Sequence, residues 1–307
     1  MRSRPRIAPV ERDDDVRAAC FLALDALRAQ FGDDLPYTGA LDRGFALRGR
    51  RVPFLNYQKG IYRAATQRGP AALSVNTSHN SPYDDEETPL GFLYAYRAGS
   101  PDQADNRALR VAYLLQTPLV YFVGVRPRRY HALYPCYVSE DRPAERRVLL
   151  AVGHLERTPE PLAGPPEDDL VRRYAIREAR VRLHQARFRG LVLPAYADRC
   201  TICRLKEVRL LDAAHIVRDA DPAGAAAVTN GLSFCSIHHR AFDESLVGIS
   251  PDYEVRVSRR LLEDEDGPML DVLKGFHGTA IELPARHTAH PDRQRLAMRF
   301  DEFLARA

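Results

Sequence analysis

The chain has very little lysine. Lys59, Lys206 and Lys274 are the only lysines among 45 basic residues, so its positive charge is almost wholly arginine. Long apolar runs are also missing, and no segment reaches the roughly 18 residues that a membrane span requires. The opening stretch, MRSRPRIAPVERDDD, has no apolar core of the kind that directs secretion. Neither an internal repeat nor a low-complexity tract is visible. These absences argue against membrane and secreted classes, and a cytoplasmic location is expected. There the five cysteines stay reduced, so a close pair of them signals a metal site before it signals a disulfide.

What is present is ordinary for a folded protein. The 307 residues are 45% hydrophobic and 28% charged, long for one core and comfortable for two. A net charge of +4 and a pI near 8.8 are compatible with a polyanionic partner without requiring one. Arginine forks suit phosphates and base edges, although a GC-rich genome produces the same bias.

Texture changes along the chain suggest two domains. Val16 to Phe31 has helical spacing behind an Asp run that favours a helix start. Short β-branched and aromatic runs follow at Ala72–Val75, Gly91–Tyr96, Leu119–Val123, Ala132–Val138 and Val148–Val152. Pro, Gly, Asn and Asp clusters separate them, the pattern of a mostly β domain with one helix at Asn106–Leu115. Thr158–Asp169 is rich in proline and acid and reads as a linker. Helical periodicity returns from Leu170 to Tyr196 with many arginines. A strand at Tyr253–Val257 and a last helix from about Pro291 complete the chain. The expected division is 1–157, a linker at 158–169, and 170–307.

Chemistry concentrates between positions 199 and 249. Cys200-Thr-Ile-Cys203 and Cys235-Ser-Ile-His238 are two knuckles that together supply four tetrahedral ligands, as structural Zn²⁺ requires. With all four positions filled by protein, no place remains for water. Leu210–Val217 reads as a buried strand carrying His215. Asn230-Gly231 reads as a turn dipeptide closing a hairpin-like loop. His238-His239-Arg240-Ala-Phe-Asp243 should open a helix with His239 and Asp243 four residues apart on one face. The knuckle spacing gives His238 to zinc and leaves His239 for catalysis, with the exchange of the two still open.

Here the chain resembles the HNH nuclease family. The family pattern falls on His215, then fourteen residues, Asn230, eight residues, His239, three residues and Asp243. The resemblance implies a ββα-metal fold around one catalytic divalent ion, Mg²⁺ or Mn²⁺. It implies His215 as general base, His239 with Asp243 as metal ligands, and Asn230 as a residue that orients the loop carrying the base or reaches the metal. Arg240 is a candidate phosphate contact. The chain departs from the pattern at Ala214, where many members carry a metal-binding Asp or His. Asp212 or water is expected to fill in.

The likeness extends upstream. Arg182 to Arg189 ahead of the first cysteine pair is similar to bacterial predicted restriction endonucleases, as are Asn56-Tyr-Gln-Lys-Gly-Ile-Tyr62 and Ser81-Pro-Tyr-Asp-Asp85. Those proteins carry an HNH module behind a PUA- or SRA-like domain that reads a modified base. The Tyr-Asp-Gly signature of true SRA domains is not evident, so PUA-like is the safer label. The expected fold class is α+β: a PUA-like domain joined through a linker and an Arg-rich helix to a zinc-containing HNH domain.

Arg182, Arg187, Arg189 and Arg240 are the expected DNA contacts, by phosphate neutralisation. Tyr57, Tyr62, Tyr83, Asp84, Asp85 and Tyr96 are the candidates for a base pocket, with aromatic clamps and amino-group acceptors. The implied partner is double-stranded DNA, base-modified at cytosine as 5-methylcytosine or 5-hydroxymethylcytosine, without a membrane. The implied activity is that of a modification-dependent, type IV-like restriction endonuclease. The alternatives are a structure-selective nicking nuclease in repair and a weakly catalytic zinc-containing DNA-binding protein. One centre per monomer cuts one strand, so a double-strand break would need a homodimer or two visits.

Overall fold

In the computed structural model, the residues described are 13–79, 87–88, 90–153, 166–218, 221, 224–265 and 267–306. Tyr83, Asp84, Asp85 and residues 158–165 of the expected linker lie outside them. The chain divides into two compact units, Met1–Ala186 and Arg187–Ala307.

The first unit begins with helix α1, Asp14–Phe31, whose first turn places Asp14 and Asp15 at the positive end of the helix dipole. Val16, Cys20 and Leu24 repeat every four residues and form its buried stripe. Gly32 ends it at φ 73°, returning its N–H to the Arg28 carbonyl. Strands β1 (Leu35–Pro36), β2 (Phe45–Leu47), β3 (Arg50–Val52), β4 (Ile61–Tyr62), β5 (Ser74–Thr77), β6 (Glu87–Thr88) and β7 (Gly91–Ala95) follow. Helix α2 spans Ala104–Leu115, ahead of β8 (Leu119–Arg126), β9 (Arg129–Arg142) and β10 (Arg147–Val152).

One eight-stranded sheet organises this unit in the order β4-β5-β8-β9-β10-β7-β6, with β1 paired to β9. All its pairings are antiparallel except β5 with β8. The continuous apolar run of β8 has a simple cause: both faces of the strand are buried. Val120 and Phe122 join the core beneath α1, with Leu24, Phe45 and Phe54. Leu119, Tyr121 and Val123 face the opposite core, with Leu109 of α2 and with Val148 and Leu150 of β10. The sheet curls until β7 meets β5 and β8. Phe92 and Tyr94 pack edge-on against Tyr121, and the Tyr94 hydroxyl donates to the Asn76 carbonyl at 3.3 Å.

Helix α3, Pro166–Ala195, starts inside the segment read from sequence as linker. Ala179 and Leu183 pack into the sheet core of the first unit, whereas Phe188, Val192 and Leu193 belong to the core of the second. The division of the chain accordingly falls within this helix, between Ala186 and Arg187.

The second unit holds β11 (Leu211–His215), β12 (Gly231–Cys235), α4 (Ser236–Asp243), β13 (Val247–Ile249) and β14 (Val255–Val257). Helices α5 (Arg259–Glu263), α6 (Pro268–Lys274) and α7 (Arg293–Leu304) complete it. β11 and β12 are antiparallel, and so are β13 and β14. The α7 helix braces the others. Buried Arg299 donates to the Phe242 carbonyl at 2.9 Å, and its guanidinium lies over the Phe242 ring at 4.8 Å, tying α7 to α4. At the other end of α7 the Asp292 N–H donates to the Thr229 carbonyl at 2.8 Å. Among the described residues no helix is long and apolar enough to cross a membrane.

Arg17 is the notable polar residue of the first unit. It is 1% exposed, and its guanidinium donates to the carbonyls of Ala72 (2.9 Å) and Pro118. Arg17→Leu strands both carbonyls and is expected to cost about 2–4 kcal/mol. A lowered urea midpoint for this unit checks it, and an unchanged midpoint would show that these bonds contribute nothing net.

Candidate metal-binding and catalytic site

Two turns bring the cysteines together. The Cys200 N–H donates to the Leu205 carbonyl at 3.0 Å and the Arg204 N–H to the Cys200 carbonyl at 2.9 Å, closing the first knuckle. The Thr201 N–H reaches the Ser233 carbonyl at 2.7 Å, fixing that knuckle beside β12. Cys235 ends β12 and caps α4, and His238 lies one helical turn on, so both face the same way.

The ligand atoms of Cys200, Cys203, Cys235 and His238 all lie within 4.8 Å of one another. The sulfurs of Cys203 and Cys235 are 3.9 Å apart, and His238 Nδ1 is 3.1 Å from Cys235 Sγ and 3.6 Å from Cys200 Sγ. Tetrahedral zinc with bonds of about 2.3 Å to sulfur spaces its sulfurs about 3.8 Å apart, so the set fits Zn²⁺ closed on all four sides. The thiols also compete for charge. A hydrogen bond from Cys200, helped by His238, pulls the Cys235 thiol down to about 3 against its burial; the same bond and burial push Cys200 up. A cation in the centre relieves that competition.

The structure thus places His238, rather than His239, with the cysteines. Because successive helical residues point about 100° apart, His239 turns outward. It lies between two carboxylates: Nδ1 is 3.5 Å from Asp212 of β11, and Nε2 is 3.6 Å from Asp243 one turn along α4. The Asp212 contact leads in raising the His239 pKa against partial burial. In turn, burial raises the Asp212 carboxyl, but His239 and the Ala213 N–H together bring it below its ordinary value. Ala214, at the position of the missing ligand, is buried in the core and offers nothing to a metal.

His215 ends β11, half-buried, with its ring stacked on Phe188 of α3 at 3.7 Å and 11° between planes. Phe188 therefore sets the plane of the imidazole. The sequence reading did not single it out, although it lies inside the Arg182–Arg189 segment at helical spacing from Val192. Asn230 is fully buried and spends its side chain on the loop after His215. Its Oδ1 accepts from the Val217 N–H at 2.9 Å, and its Nδ2 donates to the carbonyls of Val217 (3.0 Å) and Ala225 (3.1 Å). Of its two expected roles, this geometry is that of a loop anchor.

Gly231 corrects one expectation. Its backbone is extended at φ −128°, so it is not a turn glycine. A Cβ there would sit 2.4 Å from Val192 Cγ2 and 3.0 Å from Phe188 Cζ, so glycine is needed for close packing of β12 on α3.

Residues 200–250 match the family described as HNH endonuclease. This segment is an HNH endonuclease domain. No curated protein matches the chain. A solved structure titled "Modification dependent TagI restriction endonuclease" aligns over 80% of this chain and 86% of that one, at 16% identity and a TM-score of 0.32.

The expected DNA contacts are spread around and before the HNH domain. Arg240 is exposed and pairs with Glu244 at 2.8 Å, and Arg182 pairs with Glu178 one turn away in α3. Arg187 is half-buried on α3. Arg189 donates to the carbonyls of Val208 (2.8 Å) and Leu211 (3.2 Å) and so tethers the start of β11. Of the expected base-pocket residues, exposed Tyr57 leans on Tyr37 with ring centroids 5.0 Å apart. Tyr62 lines a basic cavity, and Tyr96 lines a smaller one while its hydroxyl binds Asp141.

The HNH domain should contain one zinc per chain by metal analysis. Cys203→Ala should lose it and lower Tm by about 10 °C or more, because metal binding at such a site is folding free energy. Full stability without zinc would show that the four side chains hold together by packing alone.

Proposed function

We propose that the chain is a modification-dependent restriction endonuclease. The first unit, a PUA-like curled sheet, recognises double-stranded DNA carrying 5-methylcytosine or 5-hydroxymethylcytosine in the cytoplasm, and the HNH domain hydrolyses a phosphodiester. The observation that carries the nuclease half is the ββα unit of β11, β12 and α4, which sends His238 inward to the cysteines and His239 outward to two carboxylates. The reader half rests on the upstream sequence resemblance and on the curled sheet.

In this reading Zn²⁺ is structural, held by Cys200, Cys203, Cys235 and His238. His239 and Asp243 hold the catalytic ion, Mg²⁺ or Mn²⁺. Such an ion, when bound, stabilises charge on the phosphorane and on the leaving oxygen. His215 accepts the proton of the attacking water, with Phe188 holding the ring plane and Asn230 holding the loop behind it. Asp212 accepts a hydrogen bond from His239 Nδ1–H, which would leave Nε2 as the ligand atom on the Asp243 side. Arg240 neutralises phosphate, with Arg182 and Arg187 further along.

Matched plasmids, unmodified or bearing either modified cytosine, test the whole reading. Cutting should be confined to a modified substrate, and His215→Ala should slow it about 10²–10⁴-fold. Equal cutting of all plasmids would discard the reader, and activity surviving in His215→Ala would discard the assigned base. Nicking without linearisation would identify a single centre acting alone; linearisation requires a homodimer or two visits.

Asp212→Asn supplies an independent check. It should raise the Mg²⁺ concentration for half-maximal cutting about 10-fold, as loss of a carboxylate behind a ligating histidine does. An unchanged metal requirement would remove Asp212 from the site.

A further inference from the structure

One cavity of the first unit, of about 680 Å³, opens between β4, the loop that follows it and the first turns of α2. That volume is well inside the range of small-molecule sites, about 300 to 1,000 Å³. Its wall carries Lys59, Arg63, Arg68 and Arg107. The one acid on it, Asp105, is paired with Arg97. Four cations against one neutralised carboxylate suit a small anion of several charges.

The backbone that carries these cations is fixed in place. Asn56 Oδ1 accepts from the N–H groups of Gln58 (2.9 Å) and Lys59 (3.1 Å), which sets the turn before β4. After β4, the Arg63 guanidinium donates to the Gly69 carbonyl at 3.0 Å. Buried Asp13 accepts from the N–H groups of Arg68 and Gly69, both at 2.9 Å. Buried Gln67 closes the same loop, accepting from the Ala64 N–H at 2.7 Å and donating to the Ala71 carbonyl at 3.1 Å. Arg107 stands on the first turn of α2. Lys59 and Arg107 are exposed, and among the described residues no hydrogen bond or ion pair engages either side chain. A wall already set in this way loses little freedom when a ligand docks.

Beside the cations the wall is apolar. Buried Ile61 and Ala108 line it with half-buried Tyr62 and Val111. A bare phosphodiester backbone gains nothing from such a surface, whereas a ligand with both a ring and a phosphate chain uses the two kinds of wall together. Lysine meets phosphate as a point charge and arginine as a fork, so the four cations suit a chain of phosphates. We propose that this cavity binds a free nucleoside polyphosphate, its ring against Ile61, Tyr62 and Val111 and its phosphates on Lys59, Arg63, Arg68 and Arg107. Such a ligand occupies the site whether or not the chain cuts modified DNA.

The test is calorimetric titration of the full chain, without added Mg²⁺. The probes are ATP, GTP, CTP and UTP, each beside inorganic tripolyphosphate and the matching nucleoside. At least one triphosphate should bind one per chain, about 10-fold or more tighter than tripolyphosphate or its own nucleoside. Lys59→Glu and Arg107→Glu should each weaken it about 10-fold or more. Arg50→Glu, the same charge change on an exposed residue of β3, should leave the affinity as it is. All three positions are exposed, so each variant should keep the parent's Tm.

Tripolyphosphate binding as tightly as every nucleoside triphosphate would reduce the cavity to an anion patch and overturn the proposal. Affinity that survives both Lys59→Glu and Arg107→Glu would overturn it as well, and so would no binding of any triphosphate. If those two variants weaken binding of a labelled DNA duplex while no triphosphate binds, the cavity serves nucleic acid and the proposal falls, with the DNA-acting reading intact.

Discussion

The convergence of Cys200, Cys203, Cys235 and His238 is the constraint on which the nuclease site depends. The two knuckles come from segments more than thirty residues apart in sequence, and their ligand atoms meet within 4.8 Å. That meeting fixes the end of β12, the first turn of α4 and the turn before β11 in one small volume. Once His238 is drawn inward, the helix geometry leaves His239 no choice but the opposite side, above Asp212. The placement of His239 is therefore a consequence of the clustering of His238 with the cysteines one residue earlier.

Two further supports act on the same small module from outside it. Helix α3 places Phe188 under His215 and requires Gly231 at the first position of β12. Helix α7 holds α4 through Arg299 and the loop before β12 through Asp292. An eight-residue helix and two five-residue strands bury too little apolar surface to persist alone. The four-residue cluster, α3 and α7 together hold these short elements in place.

Most of the regular elements were legible before the structure. The apolar runs read as strands correspond to β5, β7, β8, β9 and β10, and the periodic segments correspond to α1, α2, α3 and α7. The short strands β1 to β4 and β6 went unread because two to three residues carry no periodicity. Helix α3 began earlier than its apolar pattern suggested, because Pro166 and the acidic residues after it suit a helix start as well as a linker. A continuous apolar run such as β8 does not say how many cores it serves; the pleat puts Phe122 and Tyr121 on opposite faces, and only the packing on each side makes both faces core.

For the site, spacing pointed to the four-ligand set and favoured His238 over His239 for zinc with their exchange still open, and the family resemblance supplied the order His215, Asn230, His239, Asp243. Local geometry makes that spacing informative, since a knuckle closes over two intervening residues and a helix repeats every four. Tertiary structure decided what faces each of these residues. It set Phe188 against His215, Asp212 against His239, and the side chain of Asn230 on its own loop. It also showed Arg189 spent on carbonyls and Gly231 required for space, and it brought Lys59, Arg68 and Arg107 to one cavity. Those partners come from segments that share no local repeat, so only the packing of helix on strand and the curl of the sheet could select them.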